Sequence, residues 1–351
     1  MSLREIAREA GVSVATVSRV VNDVERSKVS QATRDRVLEI ARLMRYRPNP
    51  QAVSLVRRRP PNTVGLVIPY NSHVFESFYF TEIIRGAVDA AAEAGINISL
   101  FVPAHDAPAG MYHDMLAARG ALSSVAGVLL IGTQIHDPAI SQCRERKIPF
   151  VVVSNSVPDP DVSSVDCDNV TGAHEATSHL LKLGHRRIAF IAGTEGSANG
   201  RDRFEGYRRA LEEAGVPLDH GLITDGHFEE QKGRNAMARL LARDERPTAV
   251  FAANDVMALG AMKAIKREGL RIPDDIAVVG FDDVPLAQHV EPSLTTVHQP
   301  IYQVGRRAAA TLVADIREGR HEGAWGVRQV LRTRLVIRES CGAKKGTENA
   351  A

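Results

Sequence analysis

Seven short apolar runs between Thr63 and Phe281 constrain the fold of this chain more than any other feature. They read TVGLVIP (63–69), INISLFV (96–102), AGVLLIG (126–132), PFVVVSN (149–155), RIAFIAG (187–193), AVFAAN (249–254) and AVVGF (277–281). Their apolar character is nearly continuous instead of alternating, so both faces of each strand must be covered. Helical stretches such as TEIIRGAVDAAAEAG and RDRFEGYRRALEEAG lie between them. Strand and helix in alternation predict a doubly wound α/β body built on parallel sheets. At 351 residues the chain is too long for one ordinary domain, and two or three are expected.

Ahead of this body lies LREIAREAGVSVATVSRVVN, Leu3 to Asn22. Leu3, Ile6, Ala7 and Ala10 recur at helical spacing, Gly11 suits the left-handed end of a helix, and Ser13 stands at the N-cap of a second one. On that second helix Val17, Val20 and Val21 share one face, while Val14, Ala15, Ser18, Arg19 and Asn22 share the other. Two short helices joined by a glycine turn, the second presenting small, hydroxyl and arginine side chains, predict a DNA-reading helix-turn-helix. An ordinary helical hairpin with a solvated face is the plainer reading, and charge argues against it. Residues 1–61 carry 13 Lys and Arg against 6 Asp and Glu, whereas the remainder carries 31 against 36. A basic front end on an acidic body fits a nucleic-acid module joined to a part with another task. Ser30 then caps a third helix, SQATRDRVLEIARLMRY, whose Val37, Leu38, Ile40, Ala41 and Met44 are expected to close a small all-α core.

The segment VSVATVSRVVN, followed by a third helix ending in Tyr46-Arg47-Pro48-Asn49, resembles the DNA-binding headpiece of the lactose-repressor/galactose-repressor (LacI/GalR) family, and the resemblance runs from Leu3 to about Ser340. It implies a headpiece over 1–50, a hinge segment over 51–61 and a periplasmic-binding-protein-like (type I) body over 62–340. That body would hold two subdomains, one of about 62–160 with 291–322 and one of about 161–290 with 323–340, joined by three crossing strands. Residues 341–351, poor in apolar side chains, would form a disordered tail. Within the hinge segment the resemblance places Leu55 as the wedge that enters the minor groove and kinks the operator. Pro50, Val53 and Val56 depart from the family pattern there, and Arg57, Arg58 and Arg59 are the candidates to replace the phosphate contacts thereby lost.

Ligands of open α/β sheets collect beyond the carboxyl ends of the strands. Polar residues just past the apolar runs are Tyr70, Ser72 and His73; Ser154 and Asn155; Ser197, Asn199 and Arg203; Asn254 and Asp255; and Asp282 and Asp283. Any one of these more often caps a helix or forms a turn. Together they offer guanidinium, amide and carboxylate, a set suited to a ligand with several hydroxyls. The resemblance sharpens the choice to Arg203, Asn254 and Asp282, with Phe228 as the aromatic packed against the ligand. The stretch from Tyr70 to Tyr79 is longer than the usual family loop, so its contacts cannot be assigned by position.

Catalytic patterns are missing: the 12 histidines form no HExxH spacing, and neither GxSxG nor a P-loop occurs. No enzyme activity, cofactor or metal is therefore expected. Three widely spaced cysteines fit reduced thiols, and the absence of a signal-peptide core or an apolar run of ~18 residues argues against export and membrane insertion. The expected protein is a cytoplasmic, ligand-responsive transcriptional regulator, a repressor by its resemblance. It would bind a palindromic operator as a homodimer, with a tetramer also possible, and answer to a small molecule such as a sugar. A stand-alone sugar-binding protein for transport, or a sugar- or nucleoside-processing enzyme, is the competing reading. Arg19 would pair with guanine, and Val14 and Ala15 would meet a thymine methyl. Ser13, Thr16, Ser18 and Asn22 would hold phosphates. Because phosphate contacts release counterions, operator affinity should fall steeply with salt; a titration series checks this, and a flat plot would exclude the electrostatic reading.

Overall fold

The structure is a computed structural model that describes residues 2–21, 29–46, 62–68, 74–101, 124–134, 137–155, 157, 159–319 and 326–343. Three helices open it: α1 (Leu3–Ala10), α2 (Val14–Val21) and α3 (Gln31–Leu43). Gly11 takes a left-handed φ of 66° at the end of α1, and Ser30 caps α3 by accepting from the Thr33 amide. Ile6, Ala7, Ala10, Val17, Val20, Val37 and Ala41 make a common core. Leu38 departs from the expected stripe. It is 44% exposed, because it lies about 100° round the helix from Val37 and turns away from the face that Val37 and Ala41 share.

The first lobe is a six-stranded parallel sheet flanked by helices. Its strands are β1 (Thr63–Val67), β2 (Asn97–Phe101), β3 (Val128–Ile131), β4 (Phe150–Val153), β5 (Ser164–Cys167) and β11 (Arg328–Leu331), in the order β11-β5-β4-β3-β1-β2. Helices α4 (Phe78–Glu93) and α10 (Ile301–Glu318) cover one face and α5 (Pro138–Glu145) the other. Alternate residues of one run enter different cores: Leu129 and Ile131 join Val64 and Leu66 beneath α4 and α10, whereas Val128 and Leu130 pack with Cys143 of α5. This division explains why the runs are continuously apolar.

The second lobe is a four-stranded parallel sheet, β7-β6-β8-β9, made of β6 (Ile188–Ala192), β7 (Ile223–Asp225), β8 (Ala249–Ala252) and β9 (Ala277–Val279). Helices α6 (Asn169–Lys182), α7 (Ala198–Glu213), α8 (Glu230–Leu241) and α9 (Asp255–Arg267) pack on it. An aromatic cluster anchors the core, with Phe190 stacked on Tyr207 at 5.0 Å and flanked by Phe204 and Phe251. An antiparallel pair, β10 (Thr296–His298) with β12 (Arg334–Val336), continues this sheet through a bridge between Val279 and Thr295.

The chain crosses between lobes after β5, between β10 and α10, and between β11 and β12. The expected subdomain boundaries at 160/161 and 322/323 thus fall too early. Hydrogen bonding carries β5 and β11 into the first sheet, and the apolar Val165 and Leu331 seat them in its core. The boundary at 290/291 is likewise early, since β10 pairs within the second lobe. The chain beyond Ser340 also departs from expectation. Cys341 is buried in a 3₁₀ turn, Glu339–Cys341, and Ser340 Oγ donates to the Val278 carbonyl while accepting from the Thr295 amide. The rest of the expected tail, 344–351, lies outside the described residues.

Helices α4 and α10 touch backbone to backbone. A Cβ on Gly305 would stand 2.0 Å from the Ile83 carbonyl, and one on Gly86 would stand 2.1 Å from that of Tyr302. Gly305→Ala should therefore destabilise the body by about 1–3 kcal/mol through overpacking, which denaturant titration against the wild type measures.

Candidate functional site

The outward face of α2 is set by its inward one. With Val17 and Val20 buried, Val14 at 42% exposure, Ala15 and Arg19 turn to solvent, and Thr16 and Ser18 are half-buried. Ser13 caps the helix, its Oγ accepting from the Thr16 amide at 3.1 Å and lying 2.9 Å from the Thr16 hydroxyl. This face carries two small apolar groups, hydroxyls and one guanidinium, the donors and methyl contacts that base edges and phosphates take. Asn22 and Leu55 lie outside the described residues.

A second polar constellation gathers at the carboxyl ends of the strands and is centred on Arg203 of α7. Its guanidinium is almost fully buried. Nε donates to Asn169 Oδ1 at 2.9 Å and Nη1 to the Ala253 carbonyl at 2.5 Å, and Nη1 lies 3.3 Å from Asp282 Oδ1. Phe281 lies under the guanidinium at 4.0 Å and Phe228 stands at 5.9 Å. Asp282 reaches the group through a left-handed backbone, φ 112°, and its Oδ1 also accepts from Gln299 at 2.7 Å. Burial pushes its carboxyl up to about 6 even with Arg203 beside it. Phe228 also has positive φ, 62°, which lays its ring on Gly193, where any Cβ would collide with it.

Toward the first lobe the constellation continues through Asn199, whose Nδ2 donates to the Tyr79 hydroxyl at 3.1 Å. Tyr79 in turn meets the side chain of Ser154, and burial holds its phenol well above the ordinary range. Asp166, at the end of β5, accepts from the Cys167 amide at 2.7 Å and faces Asn169 and Arg203; burial raises it to about 7. Asn155 is fully buried and donates to Thr133 and Gln134, and its Oδ1 finds no hydrogen-bond partner.

Of the residues chosen from sequence, Arg203, Asp282, Phe228 and Asn199 converge directly, and Ser154 joins through Tyr79. Asn155 lies next to Ser154 at the end of β4. Asn254 and Ser197 commit side-chain oxygens to helix caps, accepting from Met257 and Gly200 amides. Tyr70 and Ser72 lie outside the described residues. Sequence reasoning missed Asp166, Asn169, Tyr79 and Gln299. Asp166 was legible as a carboxylate inside an apolar strand, SVDC, where burial without a partner is costly.

Comparison with known proteins covers both regions of the chain. The family described as "Bacterial regulatory proteins, lacI family" matches residues 2–49, and "Periplasmic binding protein-like domain" matches 177–341. The HTH-type transcriptional regulator CelR of Thermobifida fusca is 39% identical over 342 residues, 97% of this chain and 98% of its own. The chain belongs to the lacI family of bacterial regulatory proteins. This regulator thus binds DNA through its helix-turn-helix and is not an enzyme. Among solved structures, a complex of the regulator CelR with cellobiose superposes with TM-score 0.74 at 38% identity, covering 97% of this chain and 99% of that one. A lac repressor dimer bound to operator and the anti-inducer ONPF gives 0.77 at 28% identity, covering 98% and 99%. Among the described residues no helix is long and apolar enough to cross a membrane.

The raised Asp166 carboxyl has a consequence for stability. An unfolded aspartate titrates near 3.9, so this group's contribution is complete below that value and is lost as pH rises through about 7. Asp166→Asn, which keeps an oxygen for the Cys167 amide, should raise the thermal midpoint at pH 8 and lose that advantage at pH 4. Thermal melts at both pH values read the difference.

Proposed function

We propose that this regulator is a cytoplasmic homodimer that recognises a palindromic operator and represses transcription under control of a sugar bound between its lobes. The observation that carries this reading is the convergence of Arg203, Asp282 and Asp166 with Asn199, Tyr79 and Phe228 at the strand ends of both lobes. Guanidinium, carboxylates and amide match the hydroxyls of a sugar, and a flanking aromatic covers its apolar face. Two relatives support the assignment: the similar CelR was solved with cellobiose, and the lac repressor was solved as a dimer on its operator. A headpiece of three short helices reads one half-site, so a two-fold dimer reads two. Arg19 and the small Val14 and Ala15 specify bases; Ser13, Thr16 and Ser18 position the helix on phosphates. Effector changes operator affinity by binding one lobe closure more tightly than the other.

Two variants test the two sites separately. Arg19→Ala should lose about 1–3 kcal/mol of discrimination between operator and random DNA while the headpiece stays folded. An unchanged ratio in gel-shift titrations removes Arg19 from base reading. Asp282→Ala should weaken effector binding roughly ten- to a hundredfold, through loss of a buried charge-assisted hydrogen bond, and leave effector-free operator affinity unaltered. Calorimetry beside a DNA titration measures both halves, and normal effector binding would reduce Asp282 to a structural role.

A further inference from the structure

The hydrogen-bonding balance of the cleft narrows the ligand further, on the reading that this cleft binds the effector. Arg203 is the one cation in the constellation among the described residues, and most of its donors are committed. Nε is taken by Asn169, and Nη1 by the Ala253 carbonyl and Asp282. A guanidinium recognises phosphate or carboxylate with two parallel N–H groups, from Nε and Nη2 or from Nη1 and Nη2. Each of those edges has lost one member here, and only Nη2 is left. Its charge is also already balanced by Asp282 at 3.3 Å, with Asp166 a second carboxylate nearby.

The acceptors are in the opposite condition. Asp282 uses Oδ1 for Gln299 and Arg203, and Asp166 uses Oδ1 for the Cys167 amide and Asn169. Neither Oδ2 has a partner among the described residues. Two carboxylate oxygens without a protein partner therefore stand beside a single spare guanidinium nitrogen. A ligand that brings hydroxyl or amine donors satisfies them, whereas an anion brings more acceptors and a charge that two carboxylates repel.

We propose that the effector is a neutral, donor-rich molecule, an unphosphorylated sugar without a carboxylate, and that the cleft rejects sugar phosphates and uronic acids. The test is calorimetry on the full-length protein at pH 8 with paired probes: cellobiose, glucose and ribose against glucose 6-phosphate, ribose 5-phosphate and glucuronate, with cytidine against cytidine monophosphate as a nucleoside pair. A neutral sugar should bind at least tenfold more tightly than its anionic counterpart. Asp166→Asn should narrow that gap by weakening the neutral ligand and relieving the repulsion. An anionic probe that binds as tightly as its neutral partner overturns the proposal. If cytidine binds and its monophosphate and the sugars do not, the charge argument stands and the sugar assignment under Proposed function falls. Should no neutral probe bind, both fall.

Discussion

A guanidinium sealed inside a protein needs its donors answered locally, and the second lobe is arranged to answer Nε and Nη1 of Arg203. Arg203 draws Asn169 from the first turn of α6, the Ala253 carbonyl from the end of β8, and Asp282 and Phe281 from the segment after β9. Three separate strand ends are thereby fixed against one helix. The same helix carries Phe204 and Tyr207 into the aromatic core, so apolar packing and charge pairing hold one rigid element. Removing either carboxylate or guanidinium alone leaves its partner buried and uncompensated, and that is the costly way to break such a pair. The cleft inherits its geometry from this constraint.

A second acidic network fixes the crossings beside it. Asp255, the first residue of α9, is wholly buried, and burial holds it well above the ordinary carboxylate range. It accepts from the Thr296 hydroxyl on β10 and from the Val284 amide. Asp283 takes Arg338 at 2.7 Å and His298 at 3.0 Å, tying the turn after β9 to β10 and to the chain after β12. Two successive left-handed residues, Asp282 and Asp283, point their carboxylates apart, one to the cleft and one to the crossing. The polar constellation around Arg203 and the connection between lobes therefore share a dipeptide.

How much of this was legible depended on whether a residue's neighbours are local. The continuous apolar runs marked the parallel sheets because covering both faces is a property of the strand itself. The headpiece was equally plain, since Gly11, Ser13 and Ser30 punctuate helices by local backbone chemistry. Strand ends pointed to Arg203, Asn199 and Asp282. Tyr79 and Gln299 stayed hidden because each owes its place to a partner more than ten residues away, Asn199 for the one and Asp282 for the other. The subdomain boundaries failed for a related reason: β5 and β11 belong to the first lobe through pairing with each other and with β4, which no local pattern records.

The glycine contact between α4 and α10 leaves those helices no cushion of side chains over which to slide. Gly86 and Gly305 set backbone on backbone, and Tyr302 with Asp89 and Arg306 with Glu93 pin the flanks. Helix α10 starts just after Gln299, the residue that holds Asp282. Its 18 residues make an arm about 27 Å long at 1.5 Å per residue. A tilt of roughly 5° imposed at Gln299 would swing the far end by about 2 Å, and α4 would travel with it, the scale on which packed interfaces switch. Such a pair would move as a stiff lever whose fulcrum lies beside Asp282.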